Sequence, residues 1–173
     1  MITLKGQILS LPENSFTLND IHIRPICDDF DLWYAVVECQ LAPGQEDFVN
    51  PAGFSIGRAY LDPENNIPCI ILKNKTKIGY IVLRKWSDKS ANSWSFYLDK
   101  NFQGFGYGKT AAQLAVRILQ QANPNTTIKL STEQTNYPAQ RLYRALGFTH
   151  TGEMDGNDLV FAYTEVLKHD LFG

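Results

Sequence analysis

Residues 111–122 carry the clearest hydrophobic periodicity in the chain. Six apolar residues recur there at helical spacing, with glutamines and an arginine on the opposite side. They are Ala111, Leu114, Ala115, Ile118, Leu119 and Ala122. The pattern predicts an amphipathic helix with one buried face. The later stretch NYPAQRLYRAL predicts another helix, because Ala139, Leu142, Tyr143 and Leu146 share one face between an early proline and a following glycine.

Apolar runs in the first hundred residues predict strands. The segments IPCIIL, IGYIVL and SWSFYL indicate three antiparallel strands, the first two joined by KNKTK as a connection of about five residues. A short strand is predicted at residues 22–26, then a helix from the capping pair Asp28-Asp29 to about Gln40 and another over residues 51–61. TIKLSTE and LVFAYTEV predict later strands. Together they indicate an α/β chain whose sheet is antiparallel early and alternates with helices later.

The pattern also predicts how the chain divides. Residues 1–20 are expected to form an N-terminal arm, with strand-like alternation in ITLKGQILSL, and residues 21–173 a single domain. A chain of 173 residues is long enough to bury a full core. No repeat or low-complexity tract interrupts it.

Composition narrows the classes of function. Hydrophobic residues make up 44% and charged residues 20%, as in globular proteins. A net charge of −2 without a Lys/Arg cluster argues against a nucleic-acid partner and suits a cationic ligand. Cys27, Cys39 and Cys69 lack disulfide or metal spacing and the histidines stand far apart, so no metal is expected. Neither a signal peptide nor a transmembrane run is evident, so we expect a cytoplasmic protein without a membrane partner.

The stretch QGFGYGKT, residues 103–110, lies between a predicted strand and the strongest helix. Its alternating glycines permit backbone conformations that a Cβ forbids, and the free N–H groups of the helix start face the loop. A pyrophosphate fits such a place, with Lys109 adding charge at the rim, and a simple glycine-rich turn is the alternative. A nucleoside-triphosphatase loop, G-x-x-x-x-G-K-[ST], is disfavoured because Gln103 stands at its first glycine position.

Two motifs together resemble the GNAT superfamily of N-acetyltransferases. Residues 103–108, QGFGYG, match its acetyl-CoA loop Q/R-x-x-G-x-G/A, and residues 136–148 match its later signature N-x-x-A-x-x-L-Y-x-x-L-G-F. The two motifs stand in the order and spacing of that superfamily. The resemblance extends over residues 22–166 or so and leaves the N-terminal arm unexplained.

The resemblance implies a GNAT fold: a central, mixed, mostly antiparallel sheet of about six to seven strands, splayed between the fourth and fifth, with helices on both faces. It implies that acetyl-CoA is the donor and lies in the opening between SWSFYL and IKLSTE. Backbone groups would bind the pantetheine arm and the pyrophosphate. The implied cofactor-binding residues are Phe96, Tyr97, Leu98, Gln103, Gly104, Phe105, Gly106, Tyr107, Gly108, Lys109, Asn136 and Tyr143.

Tyr143 is the implied catalytic acid. A phenol of pKa about 10 can donate a proton to a leaving thiolate whose conjugate thiol has a pKa of about 8.5. Helix spacing alone makes Tyr143 a core residue and Asn136 an N-cap, and the latter is compatible with cofactor contact. Glu133 is the candidate base, directly or through water, because SWSFYL lacks the glutamate that some polyamine acetylases of this superfamily carry there. A solvated or capping glutamate is the alternative.

Residues 45–64 partly resemble the stretch QxxFVxxNxxSLxxAY of bacterial spermine/spermidine acetyltransferases. Six residues are in step, while Asn50 is not clearly in register. They are Gln45, Phe48, Val49, Ser55, Ala59 and Tyr60. Glu46 and Asp47 are the candidate substrate-binding residues because acids attract a polycation, and a solvated helix start is the alternative.

The expected function is direct transfer of the acetyl group from acetyl-CoA to a primary amine, with spermidine or spermine as the leading acceptor. Another amine, such as an amino acid, an aminoglycoside or a protein N-terminus, is the alternative acceptor. A non-catalytic acetyl-CoA-binding module is the alternative class. A homodimer is a further expectation, by analogy with homologous enzymes.

Overall fold

A computed structural model of the chain describes residues 2–164. Its helices are α1 Leu4–Leu9, α2 Asp29–Trp33, α3 Ala52–Leu61, α4 Tyr107–Ala122 and α5 Tyr137–Leu146. A π-helical turn, Tyr34–Glu38, continues α2, and a 3₁₀ turn, Gln45–Asp47, precedes α3. The strands are β1 Thr17–Leu18, β2 Ile21–Pro25, β3 Asn66–Lys73, β4 Thr76–Trp86, β5 Ala91–Leu98, β6 Lys129–Thr132, β7 Phe148–Asp155 and β8 Asp158–Tyr163. The chain divides into two compact units, residues 1–128 and 129–173.

The first unit is built on a sheet of five antiparallel strands in the order β1-β2-β3-β4-β5. Helices cover both faces, as predicted. On one face, side chains of the π-helical turn and α3 pack on β3 and β4 in a cluster that includes Tyr34, Ala35, Ala52, Ile70 and Tyr80. The strand residues between these positions point to the opposite face, where α4 contacts β2 and β5.

Helix α4 confirms the strongest periodicity in the sequence. Five of the six residues of its predicted apolar face have 0% exposure, and Ala122 at the end of the helix is partly buried. The five are Ala111, Leu114, Ala115, Ile118 and Leu119. The helix begins directly after Gly106, which has φ +84°. The amphipathic pattern alone fixes which side of this helix faces the sheet.

The N-terminal residues form a helix, so the predicted strand-like conformation of this segment was wrong. Thr3 caps α1, because its Oγ1 accepts a hydrogen bond from the Gly6 amide at 3.1 Å. Leu4 and Ile8 lie one helical turn apart and are both buried, and α1 packs on α4 and β3. The spacing of these two residues fits a helix as well as an alternating strand, and packing decides between them.

The hairpin between β3 and β4 is tighter than the predicted five-residue connection. Lys73 pairs with Thr76, which leaves a turn of two residues, Asn74 and Lys75. Asn74 has φ +53°, a conformation that asparagine adopts more readily than most residues. The other polar residues of KNKTK belong to the strands.

A buried carboxylate joins three elements of the first unit. Asp31 of α2 has 0% exposure. It forms an ion pair with Arg24 of β2, whose Nη2 lies 3.0 Å from Oδ1, and a second ion pair with Lys77 of β4 at 2.9 Å. The Cys27 amide also donates to Asp31 Oδ2 at 3.1 Å. These contacts, that with Arg24 first, hold the pKa of Asp31 well below its usual value although burial opposes them.

The second unit contains β6, α5, β7 and β8, with the three strands in the antiparallel order β6-β8-β7. The described strands thus number eight, in two sheets, where about six to seven in one sheet were predicted. Strand β8 confirms the start of the predicted strand LVFAYTEV, whose residues 165 and 166 lie outside the described residues. Among residues 2–164, no helix has the length and hydrophobicity needed to cross a bilayer.

We predict that Asp31→Asn destabilises the first unit by about 2–3 kcal/mol at pH 7, because it leaves two cations without their counter-ion. The value lies below that of a fully buried pair, since the Arg24 and Lys77 side chains keep 31% and 26% of their exposure and regain water. Because the pKa of Asp31 is lowered on folding, its contribution is complete above its unfolded pKa of about 3.9 and is lost as pH falls through the folded pKa. Urea unfolding at pH 7 and at lower pH measures this.

The matched control is Asp29→Asn, which changes an exposed acid in the same helix. It should alter the unfolding free energy by less than about 1 kcal/mol. Equal effects of the two variants at pH 7, or a difference that does not shrink at acid pH, would contradict the assigned role of Asp31.

Candidate functional site

The loop between β5 and α4 is shaped by two glycines in left-handed conformations. Gly104 and Gly106 both have φ +84°, and a Cβ added to either would meet no atom within 4 Å. Both positions therefore need glycine for backbone conformation and not for space. Gly108 differs, because its φ is not positive and a Cβ there would lie 3.7 Å from Leu98 Cδ1, an ordinary contact.

The start of α4 offers backbone donors to an anion. Gly106 is the N-cap of α4, and no side chain of the described residues makes a capping hydrogen bond there. The first turn of the helix holds no acidic residue. Thr110 is the first residue whose amide bonds back to the loop, to the Gly106 carbonyl at 3.3 Å, so the preceding amides of the first turn lack helical acceptors. Together with the helix dipole and Lys109, they form a site suited to a phosphate or pyrophosphate.

Two aromatic rings flank this helix start. Phe105 is 66% exposed and its ring stacks on that of Tyr107, with centroids 5.7 Å apart. Lys73 Nζ lies 5.4 Å from the centre of the Tyr107 ring. A cavity of about 190 Å³ lies beside them, lined also by Asn19, Asp20, Ile21, Gly106 and Thr110. The aromatic and cationic side chains add contact surface next to the predicted anion site.

Strand β5 presents an edge at the residues predicted to bind the pantetheine arm. Phe96, Tyr97 and Leu98 pair with β4 on one side, and among the described strands β5 ends the five-stranded sheet. Gly79 of β4 makes this pairing possible, because a Cβ there would lie 2.6 Å from the Tyr97 carbonyl oxygen. An edge strand keeps unpaired backbone groups that an extended ligand can use.

Gln103 has a role that its motif position did not predict. Its side chain exchanges two hydrogen bonds with the side chain of Gln45, which lies 58 residues earlier in the chain. Its Nε2 also donates to the Leu98 carbonyl at 3.0 Å. The side-chain amide of Gln103 therefore already makes hydrogen bonds to other residues of the protein.

Glu46 and Asp47 lie in the 3₁₀ turn Gln45–Asp47, and both are exposed. The preceding Gly44, with φ +86°, starts this turn. Phe48, directly after the turn, is 40% exposed. The segment therefore exposes two carboxylates and an aromatic ring, and the binding of a cationic acceptor there stays a prediction.

The second unit carries Asn136, Tyr143 and Glu133. Asn136 is the N-cap of α5, where its Oδ1 accepts from the Ala139 amide at 3.3 Å. The ring of Tyr143 packs on Phe148 and Phe161, with centroids 6.1 and 5.7 Å apart. Both structural alternatives weighed for Asn136 and Tyr143 are thus present, and their functional roles stay predictions.

Tyr143 stays protonated at neutral pH. Burial raises its pKa, and the charge of Asp158 raises it further. Glu133 is exposed in the turn after β6, which Gln140 holds by donating to the carbonyls of Glu133 and Gln134. No pattern in the sequence pointed to Asp158, whose pKa is raised by burial and then by the charges of Glu133 and Asp155.

Within residues 2–164, one group of acidic and thiol side chains has ligand atoms within 4.8 Å of one another: Cys27, Asp28 and Asp31. The Asp31 carboxylate is already bound by Arg24 and Lys77. Two cations at the same oxygens repel a metal ion, so this group does not fit a metal site.

The chain is thus an α/β protein in which an edge strand, a glycine loop and an uncapped helix start together form a place suited to an anion. Comparison with protein families is consistent with this geometry. Residues 33–148 match the model described as the acetyltransferase (GNAT) family, which is more than half of the chain. The chain therefore belongs to the GNAT acetyltransferase family, whose members use acetyl-CoA as the acetyl donor.

Two curated relatives come from Bacillus subtilis. A probable spermine N(1)-acetyltransferase of subspecies natto is 35% identical over 74 residues, and a spermine/spermidine N(1)-acetyltransferase of strain 168 is 34% identical over 74 residues. Each match covers 43% of this chain and 45% of the relative. The chain thus spans less than half the length of the curated relatives that it matches.

Solved structures are similar in fold. An acetyltransferase of the GNAT family from Bacillus anthracis has a TM-score of 0.64 at 17% identity, covering 85% of this chain and 96% of that one. An uncharacterized protein from Bacillus halodurans has a TM-score of 0.67 at 12% identity, covering 87% and 86%. At these identities the similarity shows the fold alone, and it confirms the predicted GNAT fold class.

We predict that an alanine destabilises the protein at Gly106, at the end of the loop, but not at Gly108, in the first turn of α4. Gly106→Ala forces a left-handed alanine and should cost about 1 kcal/mol of stability. It should also weaken acetyl-CoA binding, because relief of the strain displaces the first amides of α4. Gly108→Ala fits its space and raises helix propensity, so it should be neutral or stabilising by up to about 1 kcal/mol. Thermal unfolding and calorimetric titration with acetyl-CoA measure both effects, and equal behaviour of the two variants would contradict this assignment.

Proposed function

We propose that the chain is an acetyl-CoA-dependent N-acetyltransferase that moves the acetyl group directly to a primary amine, with spermidine or spermine as the leading acceptor. The observation that carries the proposal is the glycine loop before α4, which presents free amides without a competing acid in a chain of the GNAT family. Gly104 to Lys109 would hold the pyrophosphate, and the edge of β5 at Phe96–Leu98 the pantetheine arm.

The chemistry of the cysteines favours direct transfer over an acetylated thiol. Transfer through an acyl-enzyme needs a thiolate nucleophile. Burial raises the pKa of Cys39 to about 11 and raises that of Cys69 further. The carboxylate of Asp31 raises the pKa of Cys27. All three cysteines of the chain are therefore protonated at neutral pH and are poor nucleophiles.

Two side chains of the second unit are assigned to proton transfer. Bound acetyl-CoA supplies the thioester whose carbonyl carbon the amine attacks. Tyr143, kept protonated by its buried surroundings, would give its phenolic proton to the departing sulfur. Glu133 would take the proton of the amine, directly or through water, and Asp158 is a second carboxylate close enough to interact with it electrostatically. Asn136 would contact the cofactor arm.

The polyamine assignment draws on the relatives and on the charge of the turn Gln45–Asp47. The curated relatives with partial matches are named as spermine or spermine/spermidine acetyltransferases. Glu46 and Asp47 are exposed carboxylates suited to attract a polycation. The cytoplasmic location and the homodimer expected from the sequence stay predictions.

The proposal is tested by release of CoA thiol from acetyl-CoA against spermine, spermidine, diamines, amino acids, aminoglycosides, a peptide N-terminus and a blank without acceptor. Release selective for polyamines supports both the activity and the acceptor. Release with another amine keeps the activity and removes the polyamine assignment. Acetyl-CoA binding without any acetylation in the panel would favour the non-catalytic module.

We predict that Tyr143→Phe lowers kcat by about 10²-fold, because the leaving sulfur loses its proton donor. Acetyl-CoA affinity should change by less than about twofold, since phenylalanine keeps the ring contacts with Phe148 and Phe161. Tyr163→Phe removes a hydroxyl from another tyrosine of the same unit whose ring also packs on Phe148. This control should leave kcat unchanged. Unchanged turnover in Tyr143→Phe would remove this residue from the mechanism.

A further inference from the structure

The π-helical turn and the segment that follows it are attached to the end of β5 and to the glycine loop at three successive places. Tyr97 Oη donates to the Ala35 carbonyl at 3.4 Å. The Gln40 amide donates to Asp99 Oδ2 at 2.9 Å, and the Lys100 amide donates to the Gln40 carbonyl at 2.7 Å. The third attachment, between the side chains of Gln45 and Gln103, lies furthest along both segments.

The third attachment is a reciprocal pair of side-chain amides. Gln45 Nε2 donates to Gln103 Oε1 at 3.0 Å, and Gln103 Nε2 donates to Gln45 Oε1 at 2.8 Å. The pair is tied into both backbones, because Gln45 Oε1 also accepts from the Ala42 amide at 3.1 Å and Gln103 Nε2 also donates to the Leu98 carbonyl. Both side chains are partly buried. Two hydrogen bonds therefore connect residues 42–45 to residues 98–103, and one further hydrogen bond on each side ties the pair to its own backbone segment.

The Gln45–Gln103 pair joins two segments that both belong to the proposed active site. Gln103 is the first residue of the glycine loop, and Gln45 begins the 3₁₀ turn that carries Glu46 and Asp47. The same two side chains therefore join the loop assigned to the donor and the turn assigned to the acceptor.

We propose that Gln45 is a positioning residue that couples the acceptor turn to the donor loop through Gln103. The side chain of Gln103 serves this link and does not bind the cofactor, which is left to backbone amides. Binding of acetyl-CoA orders the loop, and through the pair it also orders residues 42–47. The proposal rests on the proposed function and adds to it a residue that sets acceptor affinity.

The neighbouring attachment allows the pair to be removed without unfolding the segment. Asp99 is only 7% exposed and keeps its bonds to the Gln40 and Asn101 amides when Gln45 is changed. Gln45→Met and Gln103→Met keep the length of the side chains and delete their hydrogen bonds. Gln113→Met is the matched control, since Gln113 is an exposed glutamine on α4.

The first experiment needs no ligand. Hydrogen exchange of the Ala42 amide is measured in the wild type and in the three variants. If the link exists, Gln103→Met speeds exchange at Ala42 by about fivefold, although residue 103 does not bond to that amide, because Gln45 loses its anchor. Gln113→Met leaves exchange unchanged. Unaltered exchange at Ala42 in Gln103→Met would overturn the proposal.

The second experiment adds acetyl-CoA. Protection of residues 103–109 is expected in the wild type and in Gln45→Met, whereas added protection of residues 42–47 is expected in the wild type alone. Protection of residues 42–47 in Gln45→Met as well would overturn the coupling. Failure of acetyl-CoA to protect residues 103–109 in the wild type would instead contradict the proposed function, and the exchange at Ala42 without ligand still decides whether the link exists.

The third readout is kinetic, with the acceptor that the panel identifies. Gln45→Met should raise the KM for the acceptor by about fivefold and change the KM for acetyl-CoA by less than about twofold. A purely structural role predicts equal changes in both constants, or a lower yield of folded enzyme without a change in either. Such a result would overturn the assignment of Gln45 as a positioning residue.

Discussion

The buried carboxylate of Asp31 is the interaction on which the arrangement of the first unit depends. It gathers Arg24 from β2 and Lys77 from β4 at one point and attaches α2 to both strands. The π-helical turn starts only three residues later, so the same attachment determines where Tyr34 and Ala35 enter the core over β3 and β4. A charge taken out of water is stabilising only when it is fully satisfied, and the two cations together with the Cys27 amide meet this condition.

From that anchored helix the chain runs to the edge of the sheet where the glycine loop before α4 begins. Close approach of backbones governs the geometry there. Gly79 lets the Tyr97 carbonyl approach β4, and the Asp99 carboxylate accepts a hydrogen bond from the Gln40 amide. The left-handed glycines turn the loop so that the first amides of α4 lack intrahelical acceptors. In the proposed site, binding would therefore fall mainly to backbone groups, and the side chains would act chiefly by holding that backbone in place.

The sequence predicted the parts of this structure that leave a local pattern. Helix α4 was found because its burial repeats every turn, and the loop because glycines at alternate positions are rare without a conformational reason. Helix α1 was missed because Leu4 and Ile8 satisfy both periodicities. The β3–β4 hairpin was predicted with too long a connection, because the polar residues Lys73, Thr76 and Lys77 at its strand ends resemble a loop. The Gln45–Gln103 pair left no signal, since its partners are 58 residues apart and glutamine is ordinary in surface turns. Asp31 was overlooked because an acidic residue near a helix start is normally solvated.

The π-helical turn makes the length of the chain between Tyr34 and Cys39 matter more than its composition. The Cys39 amide reaches back five residues to the Tyr34 carbonyl at 2.8 Å, whereas an α-helix reaches back four. Deletion of one residue here would restore an α-helix and rotate everything that follows by about 100°. Cys39 would then leave the core and the Gln40 amide would turn away from Asp99. Substitutions at the exposed Val36, Val37 and Glu38 should therefore disturb the fold less than an insertion or deletion among them.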